Sequence, residues 1–444
     1  MFLHIILLMK NQMNLNFKMK IILFIFLFIC KTTYSITIDD SVKSTIENNP
    51  KVKIALEKLE ESKEIIENAV GQKLPNITST ISGTYSNSDK NSITGQTTPE
   101  TFTDKYKLSI TQNLFDSGFN NLEIERSKIL YENEIINFKK TIQDLALNAI
   151  EGYLTVINYE KSLDASQKNF DSVSQFLEET KTRYNLDVAT LYELQNSQSA
   201  HAIAETNLFI ANQNYEMSKK TFKRISGIPA LNLEEIIKID DELDLDKILN
   251  NVSINNYDII ILQNDIKNKQ FLLKKEKNSK KPSIDLSASA EYSDSGRIDD
   301  GTETTNGSIG LTLTIPIFKQ NLDNSNIRKY NSQILQAELN LLDYKDELNI
   351  VVSNLYKDYL ISKSKISSNL VRIKSIETSL ESIIEEYNIG TKTTIDIIDA
   401  ESELLEFYVS YFTYKKEYIL NYFNIMALQG SIVDIFKNYL PEYY

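Results

Sequence analysis

The chain has 444 residues, enough for two or three ordinary domains, with 48 basic and 61 acidic side chains and a net charge of −13. This acidic balance argues against a protein that wraps nucleic acid. The chain contains one cysteine, two histidines and no tryptophan, which leaves too few residues for a zinc cluster, a Cys-His nucleophile or a Ser-His-Asp triad. We therefore expect neither a cofactor nor enzymatic activity, and we interpret His201, which lies in a helical stretch, as structural.

The N-terminus predicts export. Lysines precede an apolar stretch at 21–30, and "TYS" at 33–35 offers small residues for cleavage, so residues 1–35 are typical of a signal peptide. Cleavage there removes Cys30 and leaves a mature chain without a thiol, which suits an oxidising compartment. A lipoprotein cysteine at Cys30 is a weaker alternative because the bulky Ile29 precedes it. Translation can start at any of three methionines, Met1, Met13 or Met19.

An internal duplication organises the rest of the chain. "KLPNITSTISGTYS" (73–86) matches "KKPSIDLSASAEYS" (280–293), and "LSITQNLF" (108–115) matches "LTLTIPIF" (311–318). The spacing between the copies changes only across polar stretches of the kind that surface loops tolerate. We therefore predict a first repeat at 36–229, an acidic linker at 230–251, a second repeat at 252–430 and a C-terminal tail at 431–444.

Each repeat shows the same order of elements. The first predicts helix 39–71, strands 76–86 and 104–115, and helices 119–183 and 190–227. The second predicts helix 252–279, strands 283–293 and 308–318, and helices 322–386 and 393–429. The longest helices, of about 65 residues, would reach nearly 100 Å at about 1.5 Å per residue. The shorter helices, stacked end to end, are expected to line these rods.

Apolar residues recur at every seventh position of both long helices. The first series is Ile135, Ile142, Ala149, Val156, Leu163, Phe170, Leu177 and Tyr184, and the second is Val352, Tyr359, Ile366, Ile373, Leu380 and Tyr387. A seven-residue period keeps one seam of a helix against its partner, so it predicts coiled-coil packing.

The four strands alternate between apolar and polar residues. The apolar positions are Ile77, Ile81 and Tyr85, then Tyr106, Leu108 and Ile110, then Ile284, Leu286, Ala288 and Tyr292, and finally Ile309, Leu311, Leu313 and Ile315. Two amphipathic hairpins on a soluble core would show the same pattern. Strands of about ten residues after an export signal favour a transmembrane barrel instead. Four strands are too few to close a barrel, for which about eight is the minimum, so we expect copies of the chain to assemble as a ring.

With these elements the sequence resembles the outer-membrane efflux family, the TolC-like outer-membrane channels. The resemblance covers residues 40 to 430 and is most specific at "YNIGTKTTIDIIDAE" (387–401) and its partner "RYNLDVATLYELQNSQ" (183–198). It implies a mainly α fold with a membrane β-barrel: a homotrimer with a twelve-stranded barrel in outer-membrane lipid and an α-helical tunnel across the periplasm. It also implies a passive exit duct for a tripartite efflux pump or a type I secretion system. The implied partners are a periplasmic adaptor (membrane fusion) protein and an inner-membrane ABC or RND-type transporter.

The two family-like motifs also carry helix-capping signals. Thr393 and Asp396 have the spacing of a capping box, and Thr190 and Glu193 repeat that spacing in the first copy. Gly390 supplies a turn before the second box, whereas Asp187 stands where the family commonly has the turn glycine. Capping does not explain Asp399, which lies one helical turn beyond Asp396.

The resemblance also implies a closed periplasmic tip at these turns. It places a gate of polar contacts at Tyr192, Glu193, Tyr387 and Lys392, with Tyr387 and Lys392 bonding to the Glu193 region. Asp396 and Asp399 would form an acidic constriction ring. Carboxylates crowded around one axis favour cations and raise one another's pKa, so we expect a cation-selective pore whose conductance falls in acid.

Two other classes of protein remain open. An exported coiled-coil structural protein or adhesin would explain the heptads but not the two matched hairpins. An envelope enzyme would have to use Asp396 and Asp399 as its carboxylate pair, and no convergent base or cofactor motif accompanies them.

Overall fold

A computed structural model describes residues 35–87, 101–235, 239, 243–297 and 300–439. The predicted signal peptide lies outside these residues except for Ser35, and the polar loop after residue 87 also lies outside them. The elements in chain order are α1 (Ile38–Asn48), α2 (Pro50–Gly71), β1 (Asn76–Ser86), β2 (Thr101–Phe115), α3 (Phe119–Asn185), α4 (Leu191–Ser226), α5 (Leu245–Asn255), α6 (Tyr257–Asn278), β3 (Ser283–Arg297), β4 (Asp300–Thr314), α7 (Leu322–Asn388), α8 (Thr394–Leu428) and α9 (Ile432–Ile435). Within the described part of the chain, each helix is too short or too polar to cross a membrane.

The first helix of each repeat is divided at an asparagine. Asn49 ends α1 and caps α2, whose first residue, Pro50, has no N–H that would need a partner there. Asn256 ends α5 and caps α6 through its side-chain oxygen. The single helices predicted over 39–71 and 252–279 are therefore wrong at these two points, because an asparagine satisfies the free N–H groups of a new helix better than it continues an old one.

The four strands form one antiparallel sheet in the order β1-β2-β3-β4. The pairing of β2 with β3 joins the two repeats and sets Tyr106 opposite Tyr292. β4 differs from its prediction over 308–318: it spans Asp300–Thr314, pairs with the whole of β3 and ends before Pro316. Proline cannot donate to a strand ladder, which explains why the apolar residues after Thr314 do not extend the strand.

The long helices α3 and α7 are each lined by shorter helices, as predicted. α3 packs against α1, α2 and α4, and α7 packs against α5, α6 and α8. The two repeats meet where α3 contacts α6 and α8. This arrangement gives a long helical layer that continues from the sheet.

The predicted seam is correct along α7 and the first half of α3, and only partly correct along the second half of α3, where Leu177 is buried. Val352, Tyr359, Ile373 and Tyr387 are buried in α7, and Ile142, Ala149 and Val156 are buried in the first half of α3. Beyond that point Leu163 and Phe170 are only partly buried and Tyr184 is exposed. The other buried positions there are mostly small and polar, namely Ser162, Ser166, Asn169, Val173, Phe176 and Thr180. Small side chains at these positions let neighbouring helices approach closely. The partly buried Phe170 ring packs instead on the ring of His201 in α4, with the two ring centroids 5.1 Å apart.

The main core lies midway along the helices, where α1, α3, α4 and α9 meet. Its centre is Tyr153, whose hydroxyl lies 2.8 Å from the carbonyl oxygens of both Ile36 and Glu234. This contact fastens a single parallel bridge between Ile36 and Leu233, so the start of the segment between the repeats is held against α3. The end of that segment is helical rather than a linker, because Asp244 caps α5.

Candidate functional site

The two helical hairpins α3–α4 and α7–α8 end in turns of the same geometry. Asp187 has φ 57° and Gly390 has φ 81°, both in the left-handed region. In each turn the N–H of the following residue donates five residues back, from Val188 to the carbonyl of Arg183 at 2.9 Å and from Thr391 to that of Glu386 at 2.9 Å. Asp187 therefore makes the same turn as a glycine, at the steric cost of its Cβ atom.

Both predicted capping boxes are confirmed. The Glu193 carboxylate accepts from the Thr190 N–H at 2.7 Å, and the Thr190 hydroxyl accepts from the Glu193 N–H at 3.2 Å. The Asp396 carboxylate accepts from the Thr393 N–H at 2.8 Å, and the Thr393 hydroxyl accepts in return at 3.4 Å. Each box fixes the direction in which α4 or α8 leaves the turn.

Behind the turns, a run of buried hydroxyl contacts joins all four long helices. Tyr387 of α7 donates to Oε1 of Glu179 in α3 at 2.9 Å and accepts from the hydroxyl of Thr394 in α8 at 3.4 Å. The Thr394 hydroxyl lies 3.2 Å from that of Thr180 in α3, which lies 3.4 Å from that of Ser197 in α4. We call these five residues the tip network. Because four of its members are almost fully buried, separating the hairpins would expose polar groups that are now paired with one another.

Apolar and cationic groups surround Tyr387. Its ring packs with Phe176 and Ile397 in a small buried cluster, and the Arg183 guanidinium lies 4.9 Å from the ring centroid. The aromatic ring thus anchors α7 to α3 and α8 while its hydroxyl makes the polar contacts.

The structure does not bring the predicted gate residues together within one chain. Tyr387 bonds to Glu179, Lys392 lies 3.3 Å from Asp396, and Glu193 bonds to its own helix cap. Tyr192 is 70% exposed. Contacts of Tyr387 and Lys392 with the Glu193 region would have to form between neighbouring chains, and they remain a prediction.

The two aspartates have different environments. The Thr393 N–H and hydroxyl, assisted by Lys392, hold the pKa of Asp396 below its ordinary value of 3.8. Asp399 is exposed and lies beside a cavity between α4 and α8. Asp396 therefore stays charged further into acid than an ordinary aspartate.

No functional signal in the sequence singles out Glu179, Thr180, Thr394 or Ser197. Each of them is a polar residue in a helix with a heptad pattern, and most polar residues of such helices face solvent. Their burial becomes visible only when the neighbouring helices are placed.

The sheet carries the second distinctive arrangement, with one apolar and one polar face. The apolar side chains of all four strands point to the same face and are largely exposed, for example Ile81 at 73% and Ile309 at 79%. On the other face Lys105 pairs with Glu291 at 2.7 Å and Asn113 donates to Asp285 at 2.7 Å. In a soluble protein the apolar face of such a sheet packs on the core and the polar face is in water. Here, among the described residues, the apolar face is the one without a partner, and charged groups on the polar face pair with polar neighbours.

Comparison with known proteins decides the family. Residues 42–227 match the family model described as "Outer membrane efflux protein". The chain is 22% identical over 413 residues to "Outer membrane protein TolC" of Escherichia coli (strain K12), covering 87% of this chain and 80% of that protein. Residues 42–227 therefore belong to the outer membrane efflux protein family, and the similarity to TolC extends along most of the chain. The predicted family resemblance is thereby confirmed.

Further relatives agree with this assignment. "Outer membrane efflux protein BepC" of Brucella suis biovar 1 (strain 1330) is 20% identical over 307 residues, covering 67% of this chain and 66% of that protein. The crystal structure of the Campylobacter jejuni CmeC outer membrane channel superimposes with a TM-score of 0.75 at 15% identity, covering 91% of this chain and 90% of that chain. The mainly helical fold with a small antiparallel sheet is therefore that of the family's channels, and these relatives are channels rather than enzymes. The predicted location, in the outer membrane and extending into the periplasm, is that of these relatives.

Proposed function

We propose that three copies of this chain form the passive exit duct of a tripartite efflux pump or type I secretion system. The observation that carries the proposal is the sheet, whose apolar face is exposed on every strand while its polar face is internally paired. Four strands from each of three chains would close a twelve-stranded barrel with lipid outside and water inside. The helices would continue that passage through the periplasm.

In this proposal the helical turns form the closed periplasmic end. The tip network holds α7 and α8 against α3 and α4 within each chain. The predicted contacts of Tyr387 and Lys392 with the Glu193 region, which includes Tyr192, would add closure between chains. Asp396 and Asp399, repeated three times around the axis, would form the acidic constriction ring. Opening would then require the α7–α8 hairpin to move away from α3.

The duct needs partners that supply cargo and energy, because this chain offers no motif for either. The proposed partners are a periplasmic adaptor protein and an inner-membrane ABC or RND-type transporter. Polar walls of this kind select weakly, so the choice of cargo would belong to the transporter.

Crosslinking in intact cells followed by purification of this chain tests the proposal. We expect the purified complex to contain an adaptor and one inner-membrane transporter, whose type distinguishes secretion from drug efflux. A tip variant that disrupts the turn, such as Gly390→Pro, should lose these partners while still forming the barrel. Crosslinks to outer-membrane structural proteins alone would contradict the exit-duct function.

A further inference from the structure

Above the tip network, a second polar contact joins α3 to α8. Glu401 of α8 accepts a hydrogen bond on Oε1 from the Ser172 hydroxyl of α3 at 2.5 Å. The Asn169 side chain of α3 donates to the backbone carbonyl of Glu401 at 3.2 Å. Two consecutive turns of α3 therefore hold a single residue of α8. The carboxylate lines a cavity of about 280 Å³ between the two helices, with Leu405 and Phe412 on its apolar side.

The carboxylate of Glu401 has no cationic partner among the described residues, where Ser172 is its only hydrogen-bond donor. Charging a partly buried carboxyl group without such a partner is unfavourable, because the protein replaces only part of its hydration. Burial accordingly raises the pKa of Glu401 above its ordinary value of 4.5, and the hydrogen bond from Ser172 opposes that change.

The other charged and titratable groups around the cavity come from α3, α7, α8 and the inter-repeat segment, and several of them pair with one another. Lys161 of α3 lies 2.9 Å from Glu235 of the inter-repeat segment. The Tyr408 hydroxyl of α8 donates to Glu377 of α7. The remaining charged groups that line the cavity are Asp164 and Lys168 of α3. Asp399 of α8 lies beside the neighbouring cavity, which shares Asn169 with this one.

We propose that Glu401 makes the junction between α3 and α8 an acid-tightened clamp. When the carboxylate takes up a proton from solvent, the neutral group no longer opposes burial and can donate its own O–H across the junction. α8 then packs more firmly on α3. The inference concerns packing within one chain and does not depend on ion conduction. If the proposed exit duct is correct, acid would hold its movable hairpin in the closed position.

The sign follows from the direction of the change in pKa. Because the folded-state pKa of Glu401 lies above that of the unfolded chain, its stabilising contribution is complete below about pH 4.5 and is lost as pH rises through the folded-state value. Each unit by which the pKa is raised corresponds to about a tenfold change in the opening equilibrium.

Hydrogen–deuterium exchange of the purified full-length protein, at several pH values between about 5 and 8, tests the clamp. Wild type and E401Q are compared at the same pH, so that the intrinsic chemistry of exchange cancels. At neutral pH we expect amides near Ser172 and Glu401 to exchange faster in wild type than in E401Q, and the ratio to approach one as pH falls. E403Q changes an exposed glutamate of the same helix and should leave the ratio at one throughout.

A second variant keeps the proposal testable if E401Q does not assemble. S172A removes the hydrogen bond that favours the charged carboxylate, so the acid protection of these amides should begin at higher pH than in wild type. A wild-type to E401Q ratio that does not change with pH would overturn the clamp. An S172A protein with the wild-type acid response would overturn it as well. Either result leaves the proposed exit duct untouched, since exchange at this junction does not report on conduction.

Discussion

At the residue scale, Tyr387 concentrates more contacts of the tip than any other of the predicted gate residues. Its hydroxyl links Glu179 and Thr394, and its ring lies among Phe176, Ile397 and the Arg183 guanidinium. One side chain therefore connects α7 to both helices that it must leave if the hairpin is to move.

Replacing Tyr387 with phenylalanine should loosen the tip while keeping the apolar contacts. The lost hydroxyl removes a net contribution of about 0.5–1.5 kcal/mol and leaves Glu179 without its buried donor. We expect cells carrying Y387F to become more sensitive to a large antibiotic that the closed outer membrane excludes.

The matched control is Y359F, which removes another buried hydroxyl on the same seam of α7. The Tyr359 hydroxyl lies 3.1 Å from that of Tyr418, far from the tip, so this variant should not leak. Wild-type sensitivity in Y387F at a normal amount of assembled protein would show that the tip network does not keep the end closed.

Asp396 and Asp399 should have different roles, the first in capping α8 and the second in the charge of the pore. D396A removes the acceptor of the Thr393 N–H and should cost about 0.5–2 kcal/mol of stability. D399N removes a free carboxylate and should weaken the cation selectivity of the pore, measured as the reversal potential in asymmetric salt. Because the pKa of Asp396 is lowered, its own charge should persist further into acid than that of an ordinary aspartate. Unchanged selectivity in D399N would mean that this residue does not line the constriction.

At the scale of the elements, the turn between α3 and α4 contains correctable strain. Asp187 occupies the left-handed conformation that Gly390 occupies in the other hairpin. D187G should raise the stability of the tip by up to about 1 kcal/mol, because glycine pays no steric cost there. Thermal unfolding of the assembled protein measures the gain, and G390A is the converse variant, expected to lose stability. A lower unfolding temperature for D187G would show that the aspartate side chain contributes more than its backbone costs.

The stability of the N-terminal end of α3 should depend on pH in the opposite sense to that of the junction at Glu401. Glu123 accepts from Arg126 at 2.5 Å and from Lys275 of α6 at 2.7 Å, and the hydrogen bond from Arg126, followed by that from Lys275, lowers its pKa from 4.5 to about 2. Its stabilising contribution is therefore present above about pH 4.5 and is lost as pH falls toward 2.

The test is acid unfolding of E123Q against wild type. E123Q should lower the free energy of unfolding by on the order of 2 kcal/mol at neutral pH. It should also make the loss of stability in acid, called the acid limb, less steep than in wild type. E125Q breaks an exposed pair on the same turn and should change little. Equal acid limbs for wild type and E123Q would place the acid-sensitive group elsewhere.

At the scale of the whole molecule, the repeat pattern predicts the order of elements because period-two and seven-residue patterns depend only on neighbouring residues. The hairpins, the long helices and both capping boxes could be recognised in this way. The breaks at Asn49 and Asn256 were also visible in principle, since asparagine is a strong N-cap and Pro50 follows the first of them.

Other features depended on contacts between distant segments. The polar seam at Ser162, Ser166 and Asn169 is buried where α4 and α8 pack against α3, and no local pattern reports the distance between helices. Within one chain Tyr387 donates to Glu179, and no local pattern identifies that partner either. Clefts such as that beside Glu401 arise only when two helices from different repeats meet.

Single-channel recording of the purified, detergent-stable protein in a planar bilayer tests the central claim most directly. If three chains close a barrel above a sealed helical end, wild type should insert as uniform small conductance steps that favour cations, and Y387F should give larger steps at the same trimer mass. A trimer of the correct mass that never produces conductance steps, in either form, would contradict the account of this chain as an exit duct.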